Sequence, residues 1–393
     1  MLSQVLAVTG VNLLSIRQRL GASAVAVLGV VGVVVVFVGV LSIAEGFRNA
    51  MRTTGDEDTV MVMRSGADSE MTSGLSGEHA RLVAEKPGIA ADSAGPLASP
   101  ELLVIVNHPL RRSGTDANVP MRGVEPRAFA VHDTLHIVEG RNFVPGKNEV
   151  IAGRAASKQF TGLDVGATVR WGQNEWQVVG IFESGGSAAE TELWCDAKVL
   201  QAAYRRGNSY QSVYATLASH ESFATLKDAL TTDPRLKLTL IREPEYYERE
   251  SQMLQTVIRT VGFAIAGLMG LGALFSAINT MYNAVASRGR EIATFRALGF
   301  GSVPVVMSVL VEAMLITLLG GIIGGAIAWA AFDGFQTTTM NFQSFSQVAF
   351  AFAVTPKLLG LALFYSVLMG LLGGLFPAWR AARLPVVTAL REL

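Results

Sequence analysis

Four long apolar segments constrain the fold of this chain more than any other feature of its sequence. Crossing the hydrocarbon layer of a bilayer takes roughly 20 apolar residues in a helix. Half of the 393 residues are hydrophobic and only 16% are charged. The apolar segments are 20–45, 259–286, 303–332 and 358–376. They predict an α-helical membrane protein with four transmembrane helices, named TM1 to TM4 in chain order.

The first apolar segment could in principle be a cleaved signal peptide instead of a retained helix. Its uncharged stretch is longer than the roughly 7–15 residues of a typical signal-peptide core. The residues that follow, Glu45–Arg48, do not form a small-residue cleavage site. We therefore expect TM1 to be retained.

The distribution of basic residues predicts the orientation of the chain, because short loops rich in Lys and Arg face the cytoplasm. The loop 333–357 has no Lys or Arg before position 357. We expect this loop and the long segment 46–258 on the outer side. Segments 1–19, 287–302 and 377–393 are then cytoplasmic, together with both termini. The arginines that decide this are Arg17, Arg19, Arg288, Arg290, Arg296, Arg380, Arg383 and Arg391.

The outer segment 46–258 has the pattern of a globular α/β domain. A strand-helix-strand pattern occurs near each of its ends. We therefore expect one discontinuous α/β subdomain, formed by 46–110 and 197–245. Its predicted strands and helices are 58–64, 76–85 with Ser76 as N-cap, 101–106, 211–217, 221–230 and 236–241.

The middle of this domain, 111–196, is predicted to be a β-rich insert. Its short alternating or apolar segments are typical of strands, and Gly172–Glu175 resembles a hairpin turn. Farther along the chain, 245–258 is helix-prone and leads directly into TM2. It predicts a stalk helix that is continuous with TM2.

Sequence signatures of catalysis are incomplete in this chain. Gly140–Asn148 is one residue too long for a phosphate-binding loop and ends in Asn instead of Ser or Thr. His132 and His136 lack the Glu of a zinc-protease helix, so surface histidines are the simpler interpretation. Cys195 is the only cysteine, which excludes an intrachain disulfide. We expect a protein that is not an enzyme, holds no metal or cofactor, and, with zero formal net charge, does not bind nucleic acid.

Glu312 is an acidic residue inside a predicted span. An unpaired charge near the membrane centre is costly, so a residue of this kind has a partner or a function. Glu312 could hydrogen-bond across helices and hold them together. It could also line a route for protons or substrate, and the sequence leaves both interpretations open.

The segment Ser287–Phe300, SRGREIATFRALGF, is a short basic stretch between two spans. As a helix it would place Ile292, Phe295 and Leu298 on one apolar side, and Gly299 would end it. One interpretation is an interfacial helix that only follows the distribution of positive charge. The other is a helix that fits a cleft in a cytoplasmic partner.

This segment resembles the loop after the second helix in MacB-type permeases of ATP-binding-cassette (ABC) transporters, a group (type VII) that includes FtsX and LolC-like permeases. The family pattern R-x-R-E-I-x-x-x-R-A-L-G-A is matched from Arg288 to Gly299, with Phe300 where Ala is usual. The resemblance extends in order over nearly the whole chain. Its other pieces are Asn12–Leu14, Gly123–Pro126, Glu139–Phe143, Asn148–Ile151, Val178–Phe182, Glu312–Ala313, Gly320–Gly321, Pro377–Leu384 and Ala389–Arg391.

The resemblance implies a permease subunit of the bacterial inner membrane, with its large domain in the periplasm. In the family, a cytoplasmic ABC ATPase dimer binds ATP and Mg²⁺ and moves a coupling helix, and the permease transmits this movement to the periplasm. MacB carries a fused nucleotide-binding domain, whereas this sequence begins at an amphipathic lead-in helix, so we expect a separate ATPase. The implied coupling residues are Arg288, Arg290, Glu291, Ile292, Phe295, Arg296 and Leu298.

Further partners follow from the same resemblance. They are a second permease copy or a paralogue, membrane lipids, and a periplasmic membrane-fusion adaptor with an outer-membrane channel. The implied activity is export or extraction of a lipoprotein, drug, peptide or siderophore. An alternative is an FtsX-like signal relay that activates a periplasmic partner without transport. A membrane sensor without any ATPase would leave Arg288–Leu298 unexplained.

Overall fold

The computed structural model describes residue 10 and residues 20–53, 55–341 and 346–383. Most of the predicted lead-in helix and the end of the predicted C-terminal tail lie outside these residues. The chain divides into two compact units. The helical unit comprises Met1–Glu45, Thr256–Phe335 and Phe352–Leu393, and the sheet unit comprises Gly46–Gln255 and Gln336–Ala351.

The helices and strands of the described residues are numbered separately in chain order. The helices are α1 (Leu20–Thr53), α2 (Gly77–Ala84), α3 (Ala128–Val131), α4 (Arg154–Gln159), α5 (Ala197–Ala203), α6 (Ser222–Thr231), α7 (Glu243–Ser287), α8 (Gly289–Ala297), α9 (Ser302–Phe332) and α10 (Pro356–Ala382). The strands are β1 (Thr59–Arg64), β2 (Leu75–Ser76), β3 (Ala91–Asp92), β4 (Gly95–Pro96), β5 (Ala98–Pro109), β6 (Asp116–Val124), β7 (His136–Gly140), β8 (Glu149–Gly153), β9 (Thr168–Trp171), β10 (Asn174–Glu183), β11 (Leu193–Asp196), β12 (Ser209–Tyr210), β13 (Ser212–Thr216), β14 (Leu238–Arg242), β15 (Gln336–Asn341) and β16 (Ser346–Ala351).

Four helices of the described residues, α1, α7, α9 and α10, are long and apolar enough to cross a membrane. They contain 34, 45, 31 and 27 residues. Each contains one predicted span and extends beyond it. Helix α1 continues past residue 45 to Thr53, α7 includes the predicted stalk as well as TM2, and α10 continues through Pro377 to Ala382.

Glycine rows form the close contacts within the helical unit. A Cβ at Gly320 or Gly324 of α9 would lie 2.9 Å from the Cβ of Val30 or Val34 of α1. At Gly374 of α10 it would lie 2.8 Å from a side-chain atom of α9. The small residues therefore let the helix backbones approach each other, as the small-xxx-small pattern predicts.

The sheet unit is built on a ten-stranded sheet with the order β14-β1-β13-β5-β6-β11-β8-β10-β7, and β9 pairs with β10. Within its first four strands, each strand is antiparallel to the next one in this order. They combine β1-α2-β5 with β13-α6-β14, so the two predicted strand-helix-strand patterns interleave as a split β-α-β fold. The Ser76 hydroxyl caps α2 by accepting a hydrogen bond from the His79 amide, as the sequence predicts.

The predicted boundary between the α/β subdomain and the β-rich insert lies within this continuous sheet. Strand β5 has 12 residues; its residues 98–101 pair with β13 and its residues 102–109 pair with β6. Leu102 of β5 and Leu200 of α5 belong to the same hydrophobic core as Trp176 of the insert. Because one strand serves both halves, the insert shares its core with the flanking segments.

The predicted short loop 333–357 contains a β-hairpin. Strands β15 and β16 pair in antiparallel fashion from Gln336↔Ala351 to Asn341↔Ser346. The hairpin belongs to the sheet unit, where β16 packs against β6 and the 3₁₀ turn Ala188–Thr191. The sequence pattern predicts only a short loop here and does not predict these two strands.

Candidate functional site

Helix α8 occupies the centre of the segment that the sequence singles out. Its C-terminus has the hydrogen bonds of a Schellman motif, since the Gly299 amide donates to the Arg296 carbonyl and the Phe300 amide to the Phe295 carbonyl. Gly299 has φ +92°, a backbone conformation that residues with a Cβ atom rarely adopt. The Phe295 and Phe300 rings are 5.5 Å apart and provide the hydrophobic contact that accompanies this motif. The prediction that Gly299 ends the helix is confirmed.

The predicted apolar side of α8 is only partly buried. Ile292 is buried, whereas Leu298 is 72% exposed. Six residues correspond to about 600° of helical rotation, so Leu298 lies about 120° around the axis from Ile292, and Phe295 lies between them. The predicted apolar side is therefore buried at Ile292 and exposed at Leu298. The outer face, which we call the α8 ridge, consists of Arg290, Glu291, Thr294, Ala297 and Leu298.

Arg288 and Glu312 form a buried ion pair within the helical unit. Arg288 Nη1 lies 2.8 Å from Glu312 Oε2, and Nη2 lies 3.3 Å from Oε1. The two side chains are only 5% and 4% exposed. Two hydrogen bonds in a fork give the pair directional specificity as well as charge compensation. The pair joins the α7–α8 junction to α9.

This pair changes the interpretation of both residues. Glu312 has an internal counter-charge, which favours its structural interpretation over a route for protons or substrate. Arg288 points inward to α9, so it lies apart from the predicted coupling residues on the α8 ridge. Among those residues, Ile292 is also buried, while Phe295 and Arg296 are partly buried. The sequence could not pair residues 288 and 312, because they lie on different helices.

A second buried polar cluster, which the sequence did not predict, lies in the sheet unit. The guanidinium group of Arg122 binds three carboxylates, with Nη1 2.7 Å from Glu70 and 2.9 Å from Glu101, and Nε 2.7 Å from Glu192. All three distances correspond to charge-assisted hydrogen bonds. Ser212 Oγ donates a further bond to Glu70. We call Arg122, Glu70, Glu101 and Glu192 the Arg122 cluster.

His132 extends this cluster, contrary to the expectation of a surface histidine. Its Nε2 lies 2.8 Å from Glu101 Oε1, and its side chain is 16% exposed. Burial acts to lower the pKa of His132, but the adjacent Glu101 carboxylate outweighs it and raises that pKa. Burial likewise acts to raise the pKa of Glu101, but His132 and Arg122 outweigh it and lower that pKa. His136 is exposed, as expected.

The loop that resembles a phosphate-binding motif is organised around a carboxylate of its own. Arg141 donates two hydrogen bonds to Glu149, at 2.6 and 2.8 Å, and the Val144 amide donates a third at 2.9 Å. The Arg141 hydrogen bonds lower the pKa of Glu149 to about 2. Because an internal anion already takes these donors, the loop has a structural role.

Comparison with known proteins supplies the family. A model described as the MacB-like periplasmic core domain matches residues 23–233, more than half of the chain. A second model, the FtsX-like permease C-terminal domain, matches residues 263–386. The chain belongs to the MacB/FtsX-type permease family. This membership confirms the resemblance seen in the sequence. Together with the four long helices, it confirms the fold class of four membrane helices with a large domain between the first and second.

Similar curated proteins carry names of exporters. The macrolide export ATP-binding/permease protein MacB of Chlorobium luteolum is 30% identical over 244 residues, which cover 58% of this chain and 35% of that protein. MacB 1/2 of Paracoccus denitrificans is 25% identical over 405 residues, covering 97% and 58%. The pyoverdine export ATP-binding/permease protein PvdT of Pseudomonas entomophila is 27% identical over 254 residues, covering 61% and 37%. This permease thus spans between a third and three-fifths of the length of these relatives.

A solved structure is also similar to this permease. The periplasmic region of MacB from Actinobacillus actinomycetemcomitans aligns with a TM-score of 0.37 and 14% identity. The alignment covers 53% of this chain and 95% of that one.

Proposed function

We propose that this chain is the permease component of an ABC exporter of the bacterial inner membrane, and that an ABC ATPase acts on the α8 ridge from the cytoplasm. The observation that carries the proposal is the division of α8 into two faces. One face, with Ile292, is buried in the helical unit, and the other presents Arg290, Glu291 and Leu298. A short amphipathic helix of this kind suits a groove in a partner protein.

In this proposal, the Arg288–Glu312 pair transmits movement of α8 to α9. A force on α8 would reach α9 through two hydrogen bonds in a buried setting, 2.8 and 3.3 Å long. A rigid local link between short and long helices is what transmission of a movement requires, because packed elements shift as bodies. We propose that ATP-driven movement of α8 passes through this pair to the long helices and finally to the sheet unit.

Transport is favoured over signal relay by the names of the relatives, which describe macrolide and pyoverdine export. The proposed complex contains an ATPase dimer that binds ATP and Mg²⁺ and a second permease chain, identical or paralogous. A periplasmic adaptor and an outer-membrane channel are further proposed partners. In this arrangement both termini and α8 face the cytoplasm, and the sheet unit lies in the periplasm.

The α8 ridge can be tested by copurification. We expect Glu291→Lys and Leu298→Asp, made in the full chain in its native host, to reduce recovery of the ABC ATPase about tenfold or more, because central interface residues carry most of the binding energy. The ATPase is identified and quantified by mass spectrometry of the purified complex. The matched control is Lys357→Glu, an exposed charge reversal at the predicted periplasmic start of α10. Equal ATPase recovery from all three variants and the unmodified chain would refute the ridge as the docking site.

A further inference from the structure

Glu243, at the start of α7, is a buried carboxylate with little compensation for its charge. It is 3% exposed and lies in the first turn of the helix. Its side chain accepts a hydrogen bond from the Asp56 amide, with Asp56 N 3.3 Å from Oε2. This distance is longer than the roughly 2.7–2.9 Å of a charge-assisted hydrogen bond. Arg122 and His132 pair with other carboxylates, and Glu243 forms no ion pair within the described ranges.

The carboxylates in this region outnumber the cations. The three carboxylates of the Arg122 cluster bind Arg122, and one of them, Glu101, also binds His132. Glu243 lies close enough for Glu101, Arg122 and His132 to act on its charge. Four ionised carboxylates would thus share two positive charges in a buried setting. Because burial penalises charge that is not compensated, we expect one of the four to hold a proton.

Hydrogen bonding indicates that Glu243 is the carboxyl group that holds this proton. Each carboxylate of the Arg122 cluster accepts two hydrogen bonds from Arg122 or His132, between 2.7 and 3.1 Å long. These bonds favour the ionised form, whereas Glu243 has, among the described residues, only the long bond from Asp56. Burial is the largest effect on Glu243 and raises its pKa to about 7, although His132 and the Asp56 amide act to lower it.

The other ionisable groups near the start of α7 are three tyrosines, Glu250 and a set of more exposed residues. Burial raises the pKa of the tyrosine hydroxyls, which stay neutral near pH 7: Tyr214, Tyr246 and Tyr247. Glu250, on a later turn of α7, lines a cavity of about 40 Å³. The exposed or partly exposed residues are Asp56, Glu57, Asp58, Arg242, Glu245, Glu248 and Arg249. Glu243 and His132 both have raised pKa values, so both hold protons more tightly in this structure than in water.

Glu243 lies where the start of α7 meets the segment that follows α1. Its bond to the Asp56 amide links these two parts of the chain. A Cβ at Gly55 would lie 2.6 Å from Pro244 N, so the two backbones are in close contact and leave no room for a side chain. A negative charge on Glu243 therefore arises at a tightly packed junction with little solvation.

Tyr246 docks the first turn of α7 on the sheet. Its hydroxyl accepts a hydrogen bond from the Glu70 amide at 3.0 Å, which connects the helix to the Arg122 cluster. Its ring lies in an apolar cluster with Met61 of β1 and Ile241 of β14. We call this contact of residues 243–246 with the sheet the α7 joint. Opening of the α7 joint would expose Met61, which is fully buried.

We propose that the α7 joint is a pH-responsive contact, closed at acidic pH, where Glu243 is protonated, and opening more readily as the pH rises to neutrality. The pKa of Glu243 is about 7 in the closed joint, against an ordinary value of 4.5. The closed joint therefore binds this proton more tightly than an open joint in which the carboxyl group is solvated. Its stability is full below pH 4.5, falls as the pH rises toward 7, and levels off above that pH. The raised pKa of His132 acts in the same direction.

The experiment uses the full chain with Met61→Cys in lipid nanodiscs and follows labelling by N-ethylmaleimide at about pH 5.5 and about pH 7.5. Peptide mass spectrometry quantifies the added cysteine and Cys195 separately. Each rate is divided by the rate of the same site in denaturant at the same pH, which removes the pH dependence of the thiol itself. The opening constant of the added cysteine should rise about twentyfold between the two conditions, given a carboxyl pKa of 4.5 when open and about 7 when closed. Cys195, which lies in a different core, should show a much lower opening constant in both.

Glu243→Gln replaces the carboxyl group by a neutral amide of the same size. It should lower the opening constant at about pH 7.5 by about tenfold or more, because the closed joint then excludes no charge at this position. The rise with pH should be smaller, because His132 still titrates. The matched control is Glu245→Gln, in the same turn but exposed, which should keep the full pH dependence. Thermal unfolding without the added cysteine is a second measure, in which Glu243→Gln should raise Tm more at the higher pH than at the lower.

An opening constant that does not change with pH, or an equal rise with and without Glu243→Gln, would overturn the proposal. Equal opening constants for the added cysteine and Cys195 would also overturn it, because the whole unit would then open together. The groups involved all lie in the sheet unit, and no ATPase is present in the assay. The result therefore bears on the α7 joint alone, and copurification tests the proposed function separately.

Discussion

Arg122 is the residue on which the polar interior of the sheet unit depends. It is 4% exposed and compensates three carboxylates that come from separate parts of the chain. A buried charge network of this kind contributes little net stability compared with an apolar replacement of the whole set. Removal of one member is different, because the remaining charges stay buried without compensation.

We therefore expect Arg122→Met to destabilise the protein by about 3–5 kcal/mol, since it keeps most of the side-chain volume, leaves Glu70 and Glu192 without their cation, and leaves Glu101 with His132 alone. The matched control is Arg111→Ala, which breaks an exposed pair with Asp164 whose side chains are 39% and 69% exposed. That change should cost no more than about 1 kcal/mol. Denaturant unfolding of the full chain, followed by tryptophan fluorescence, gives both values. A loss for Arg122→Met no larger than for Arg111→Ala would contradict the importance of the cluster.

Local interactions of single residues could be predicted from the sequence, and distant ones could not. Ser76 caps α2 through an amide three residues later, and Gly299 ends α8 by a hydrogen bond within one turn. In both cases the two bonded residues are close in sequence. The partners of Arg122 lie 52, 21 and 70 residues away. The sequence contains no signal for these pairings, and the same holds for the ion pair of Arg288 with Glu312.

At the level of helices and strands, the long apolar helices were predicted from the sequence and the β15–β16 hairpin was not. The four membrane-length helices were each predicted because a long apolar run suffices to define them. The β15–β16 hairpin was missed because it lies in a short connection between two spans and packs against β6, more than 200 residues earlier in the chain. Its TTT run at 337–339 was the available signal, since β-branched residues favour strands.

The link between α8 and α9 predicts a specific pattern of stability. Arg288→Leu and Glu312→Leu should each lower stability by about 3–5 kcal/mol, because each leaves one buried charge without its partner in this ion pair. The double variant should be more stable than either single variant, since it removes both charges together. Thermal unfolding of the full chain in nanodiscs measures all three. Additive losses in the double variant would show that the two side chains act independently and would remove the proposed route of transmission.

Considered as a whole molecule, the permease is proposed to have α8 and the sheet unit on opposite sides of the membrane. The sequence argument rests on the distribution of arginine, which sets orientation through loops near the spans. The chain offers a direct test because its only cysteine, Cys195, is fully buried. Burial also raises the pKa of the Cys195 thiol, which keeps it in the unreactive protonated form.

A single added cysteine can therefore be labelled without removing the native one. In spheroplasts, a membrane-impermeant maleimide should label Lys198→Cys, on the exposed surface of α5, and should leave Arg290→Cys, on the α8 ridge, unlabelled until detergent opens the membrane. The unmodified chain should react only after denaturation, which controls for Cys195. Labelling of both added cysteines in intact spheroplasts would place the ridge outside the cell. A cytoplasmic ATPase could not then reach α8, because the membrane would separate the two proteins.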